Sequence, residues 1–134
     1  MGIDVTLARG IIATLLAEAA RAHPQEACGL LLGPAQGPIR AVVPCANVAA
    51  DPARHFEIDP AALIAAHRAA RGGGPAVLGY YHSHPEGPPV PSATDRAMAC
   101  GDGRIWAIVG EGRLRCWRDG PLGFEALSTR EIDG

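Results

Sequence analysis

Leu7, Ile11, Ile12, Leu15, Leu16 and Ala19 recur at helical spacing, which predicts a helix over 6–22 with Thr6 as its N-cap. His23-Pro24 ends it, because the residue before a proline is pushed out of the helical region. Residues 27–32 are a short apolar run closed by Gly33-Pro34 and read as a buried strand. Residues 39–45 read as its hairpin neighbour, and 55–58 as a short strand after an Asp51-Pro52 turn. Asp59-Pro60 then opens a second helix, with Asp59 as N-cap and Pro60 at the first helical position, and Gly72-Gly73-Gly74-Pro75 breaks it after Arg71. Residues 76–82 form a strand that runs into His82-Ser83-His84-Pro85. A Pro/Gly loop covers 85–91, and Ser92 opens a short helix reaching about Cys100. Strands follow at 104–109, 113–118 and 122–127, with a tight turn at Gly110-Glu111-Gly112. Strands interleaved with helices predict a mixed sheet with helices packed on it, an α+β or three-layer arrangement.

Composition narrows the picture. The chain has 134 residues, 48% of them hydrophobic and 19% charged, which fits one globular domain over 1–134. A net charge of −2 argues against nucleic-acid binding through bulk charge. No apolar run approaches a membrane span, and the start of the chain lacks the basic segment of a secretory signal, so a cytoplasmic location is expected. Cys28, Cys45, Cys100 and Cys116 are scattered without a CxxC pair and read as reduced, mostly buried thiols. All 12 basic residues are Arg, so no side chain here can accept a modifier through a lysine isopeptide bond.

The chemistry concentrates in His82-Ser83-His84-Pro85 followed by Ser92-Ala93-Thr94-Asp95. Side chains two apart on a strand share a face, so both imidazoles can aim at one point. Asp95 returns on the first turn of a helix. Two neutral imidazoles and one carboxylate suit a single Zn²⁺ and leave a fourth position open for water, the mark of a catalytic site. A bare HxH beside a proline turn would read as two surface histidines; Ser92 and Asp95 at this spacing reverse that. Ser92 also fits a helix cap, and the two roles are compatible if its hydroxyl faces the metal. A zinc hydrolase needs a general base. Glu26, at the mouth of the strand beginning near Cys28, is the best placed, with Glu18, Glu57 and Glu86 as competitors. A zinc deaminase pattern and a helical His-Glu-x-x-His are both absent.

Together, Glu26, His82-Ser83-His84-Pro85 and Ser92-Ala93-Thr94-Asp95 resemble the JAMM/MPN+ (Mov34/MPN/PAD-1) metalloprotease family. Asn47-Val48-Ala49 and Phe56-Glu57-Ile58-Asp59-Pro60 resemble the connecting segments of its bacterial members, and the likeness runs from about residue 5 to 127. The resemblance implies a cytidine-deaminase-like α/β (α+β) three-layer sandwich with a mixed, curved β-sheet flanked by helices. It makes His82, His84 and Asp95 the zinc ligands, Glu26 the general acid/base, and Ser92 the donor to the oxyanion. It aligns Cys28 with a position that is often Cys; the residue reads as packing, because the sequence places no second thiol nearby. It further implies hydrolysis of peptide or isopeptide bonds at the C-terminus of a ubiquitin-like or sulfur-carrier β-grasp protein. The competing readings are a non-catalytic MPN-type module that binds partners, and a metal-dependent hydrolase of small amides. Trp106, Trp117 and Phe124 are expected in the core, and Arg113, Arg115 and Arg118 as a solvated basic stripe.

Overall fold

The computed structural model describes residues 4–133. Its elements are β1 (Asp4–Ala8), α1 (Ile11–Ala22), β2 (Cys28–Gly33), β3 (Ala41–Cys45), α2 (Pro60–Arg71), β4 (Ala76–His84), α3 (Ala93–Met98), β5 (Ile105–Gly110), β6 (Arg113–Gly120) and β7 (Gly123–Ile132). They build a seven-stranded sheet in the order β1-β7-β6-β5-β4-β2-β3. The β1–β7 and β4–β5 pairs are parallel and the others antiparallel, so the sheet is mixed. It curls until its ends meet: Ala8 N donates to Ile39 O at 2.8 Å, and Ile39 N to Thr6 O at 2.9 Å.

Strand alternation sends adjacent residues to opposite faces. Leu31, Tyr81 and Ala107 join the core built with Ile11 and Leu15 of α1. Their neighbours Leu30, Tyr80 and Trp106 face the other core, which Leu63 and Ala66 of α2 cover with Phe56 and Ile58. Helices on both faces of a curved, mixed sheet make the expected three-layer sandwich. Trp106, Trp117 and Phe124 pack in the second core, as their aromatic character predicts.

Two elements depart from the sequence pattern. The expected helix over 6–22 is a strand followed by a helix, and Thr6 is not its cap. Val5 and Leu7 are buried on one side of β1, and Gly10, at φ +90°, turns the chain into α1. Leu7, Ile11 and Leu15 keep the i, i+4 spacing because all three line the same core, although Leu7 belongs to a strand. The expected strand over 55–58 is an extended connection with a lone bridge between Asn47 and Ile58. The helix expected from Pro60 to Arg71 forms with those bounds, and Ala61 N donates to Asp59 Oδ1 at 3.1 Å. Met1–Ile3, where a secretory signal would begin, lie outside the described residues. Among the described residues no helix is long and apolar enough to cross a membrane.

Candidate metal centre

β4 lies between β2 and β5 and carries His82, Ser83 and His84 to its C-terminal end. His82 is fully buried. Its ring stacks on Phe56 with centroids 4.2 Å apart and meets the edge of Trp106 at 5.7 Å. His82 Nδ1 has no hydrogen-bond partner among the described residues, so aromatic packing sets the orientation of this ring. His84 is oriented differently. Its Nδ1 lies 2.9 Å from Pro88 O, and a carbonyl can only accept, so Nδ1 carries the hydrogen and Nε2 keeps its lone pair. The loop that supplies Pro88 is itself fastened: Trp117 Nε1 donates to Pro89 O at 3.1 Å. That loop also presses on Gly110, where a Cβ would stand 2.6 Å from Gly87 O.

Ser92 caps α3. Its Oγ accepts from Asp95 N at 3.0 Å, while its own N–H donates to Asp95 Oδ2 at 2.9 Å, a complete capping box. The box fixes the Asp95 carboxylate, which is buried, toward β4. Three donor atoms converge as a result. His82 Nε2 and Asp95 Oδ2 are 3.0 Å apart, His84 Nε2 and Asp95 Oδ2 3.2 Å, and the two Nε2 atoms 3.2 Å. Ligands about 2.0–2.1 Å from one tetrahedral zinc stand about 3.3 Å from each other, so the triangle matches one face of such a polyhedron. Burial works against ionisation of Asp95, yet contact with the histidine pair and the N–H of Ser92 hold its carboxyl well below the ordinary range. Burial lowers the pKa of His82, which keeps the imidazole neutral and able to ligate. The residues present fit a zinc ion.

Glu26 stands on the segment entering β2. It is 6% exposed, and burial raises its carboxyl from an ordinary 4.5 to about 7. A cleft of about 570 Å³ brings Glu26, His84 and Ser92 together, with His23, Arg54 and Glu86 also on its walls. Of the competing acids, Glu18 pairs with Arg21 on α1 and Glu57 is exposed outside this cleft. Glu86 shares the cleft, on the Pro/Gly loop. Ser92 lines the cleft, and its oxygen only accepts in the cap, so capping does not use its O–H.

The structure corrects one expectation about thiols: Cys28 does have a neighbour. Hairpin register pairs it with Cys45, and both thiols are free. Cys28 is buried in the second core with Leu30, Phe56 and Trp106, and burial pushes its thiol up to about 12. A second group of potential ligands, Cys100, Asp102 and Asp119, is a loop clasp. Asp119 accepts from Cys100 N and Gly101 N, each at 3.0 Å, and Asp102 holds Arg104. The basic stripe on β6 is locally engaged as well: Arg113 pairs with Glu111, Arg115 lies over Trp117, and Arg118 donates to Gly103 O.

The chain is similar to several known proteins. The family described as prokaryotic homologs of the JAB domain matches residues 8–120. The desampylase of Haloferax volcanii is 41% identical over 93 residues, 68% of this chain and 67% of that one. A probable TtuB-protein conjugate cleaving protease of Thermus thermophilus is 35% identical over 94 residues, 70% of this chain and 62% of its own length. The CysO-cysteine peptidase of Mycobacterium tuberculosis is 30% identical over 126 residues, 92% of this chain and 80% of that protein. Among solved structures, protein DSY2949 of Desulfitobacterium hafniense superposes with a TM-score of 0.82 at 30% identity, covering 97% of this chain and 94% of that one. A structure described as a JAMM metalloprotease-like zinc site shares the fold, with a TM-score of 0.59 at 21% identity over 96% of this chain and 97% of that one.

Proposed function

Because the chain belongs to the family of prokaryotic JAB-domain homologs, we propose that it is a zinc-dependent peptidase acting at the C-terminal tail of a ubiquitin-like or sulfur-carrier protein of the β-grasp type. The observation that carries this reading is the convergence of His82, His84 and Asp95 donor atoms within 3.0–3.2 Å, beside a cleft that also contains Glu26 and Ser92. The relatives are named as a desampylase, a probable TtuB-protein conjugate cleaving protease and a CysO-cysteine peptidase, and these names support the reading. His82, His84 and Asp95 would hold one zinc ion. When bound, it supplies Lewis acidity to the scissile carbonyl and to the attacking water.

The chain's own residues do the rest. Glu26, held near pH 7 by burial, takes the proton of the attacking water, keeps it out of bulk solvent, and hands it to the leaving amine. The free O–H of Ser92 donates to the carbonyl oxygen as negative charge develops there. Pro88 keeps His84 in the tautomer that offers Nε2 to the metal. The four unpaired thiols support action in a reducing compartment, which we take to be the cytoplasm. The chain contains no lysine and so escapes lysine-directed conjugation by the modifiers it would process.

Intact-mass spectrometry on zinc-loaded protein tests the reading. β-grasp carriers with a linear C-terminal extension are compared with lysine-linked conjugates and with a size series of small amides. Cleavage of either protein class supports the proposal, and which one is cut identifies the leaving group. Cleavage of the small amides alone overturns it in favour of a small-molecule hydrolase.

A further inference from the structure

The proposed proton carrier, Glu26, is set by its backbone, and that backbone is fastened by side chains from two other parts of the chain. Its own N–H donates to Pro52 O at 2.7 Å. The peptide unit that follows, Glu26 C=O with Ala27 N–H, is gripped on both sides. Asn47 Nδ2 donates to Glu26 O at 3.1 Å. Ala27 N donates to Ser83 Oγ at 2.8 Å.

Each grip is well supported. Asn47 uses its whole amide: Nδ2 also donates to His55 O at 3.0 Å, and Oδ1 accepts from Ala49 N at 3.1 Å and Glu57 N at 3.0 Å. The amide therefore ties Glu26 to the connection that carries Phe56, the ring stacked on His82. Ser83 lies between the two histidines on β4 and is 3% exposed. The β2–β4 ladder has its last pair at Cys28 and His82. Beyond it Ser83 adds one reciprocal pair, since Ser83 N donates to Ala27 O at 3.1 Å. The hydroxyl thus prolongs the sheet by one residue, up to the residue after Glu26.

We infer that Asn47 and Ser83 are positioning residues, which fix the Glu26–Ala27 peptide and thereby hold the Glu26 carboxylate at a set distance from the histidine pair. The inference rests on the proposed role of Glu26 in proton transfer. With both peptide planes around Glu26 held, the Cα–Cβ direction has little freedom, and the fixed φ and ψ restrict the χ1 rotamers open to the side chain.

The test compares wild type with Ser83→Ala, Ser83→Thr and Asn47→Asp. Ser83→Ala removes the acceptor for Ala27 N–H. Ser83→Thr keeps it. Asn47→Asp keeps the shape but turns the donor facing Glu26 O into an acceptor. On a β-grasp tail conjugate, kcat of Ser83→Ala and Asn47→Asp should fall about 10- to 100-fold, as expected when a reacting group is misplaced by about 1 Å. KM should stay within about twofold, zinc content should be unchanged, and Ser83→Thr should restore the rate. A readout free of turnover accompanies this: side-chain couplings of Glu26 by NMR. Wild type should show one χ1 rotamer, and Ser83→Ala and Asn47→Asp an average over several. A single Glu26 rotamer in both variants overturns the inference. So does an unchanged kcat, or a rate lost in step with zinc. If wild type cuts no conjugate, the proposed substrate is wrong, and the rotamer comparison still decides the positioning role.

Discussion

Replacing Glu26 with glutamine should make the zinc-free protein more stable and the zinc-loaded enzyme nearly inactive. Burial raises this carboxyl from 4.5 to about 7, partly offset by attraction to His84. The folded chain therefore holds the proton more tightly than the unfolded one. The stability that protonation contributes is full below pH 4.5 and is lost as pH climbs to about 7. At ~1.4 kcal/mol per pH unit, the ionised wild type gives up about 3 kcal/mol by the end of that window. The substituted side chain is a neutral amide that does not ionise, so the variant loses nothing there. For a chain of this length that difference moves the melting temperature by roughly 10 °C. The assay is a pair of thermal melts, wild type and Glu26→Gln, in chelator, from pH 4.5 to 8. The gap between the curves should open in favour of the variant as pH rises. A gap that stays constant across the range, or opens the other way, would refute the argument that burial raises this carboxyl. In the zinc-loaded form the same variant should retain its metal and lose about 10²–10⁴ in turnover.

Asp95→Ala removes one of three converging donors and leaves His82 buried without its partner; zinc per chain after dialysis, measured by elemental mass spectrometry, should fall far below that of wild type. Ser92→Ala should do two separable things: lower stability by about 1 kcal/mol through the lost cap, seen in denaturant melts, and lower kcat by about 10²–10³ through the lost oxyanion donor. Among the thiols, exposed Cys100 should alkylate first in the native protein. Cys28 and Cys116, buried and pushed up to about 12, should react only after unfolding, which peptide mapping resolves.

The sequence was most informative where chemistry is local. Asp59 before Pro60 and Gly72 after Arg71 mark both ends of α2, because capping depends on adjacent residues. His82 and His84 share a face through strand periodicity, and the Ser92–Asp95 spacing is a capping box that delivers the carboxylate. The start of the chain misled because Leu7 and Ile11 line one core from different elements, and core membership alone produces the apolar spacing. The clearest warning was Gly10, a residue suited to the positive φ that separates β1 from α1. Residues 55–58 misled for another reason. Asn47 pins them through its side chain, and a side-chain clasp leaves no periodicity to read. Phe56 against His82, Cys45 beside Cys28, and the Trp117–Pro89 bond all depend on tertiary contact or hairpin register.

Tail cleavage of a β-grasp conjugate is followed by intact mass for the chelated protein, for the same protein after one equivalent of zinc, and for zinc-loaded Glu26→Gln. No cleavage, full cleavage and almost none are expected, in that order. Equal cleavage by the chelated protein would contradict the metal centre, and equal cleavage by the variant would remove Glu26 from the chemistry.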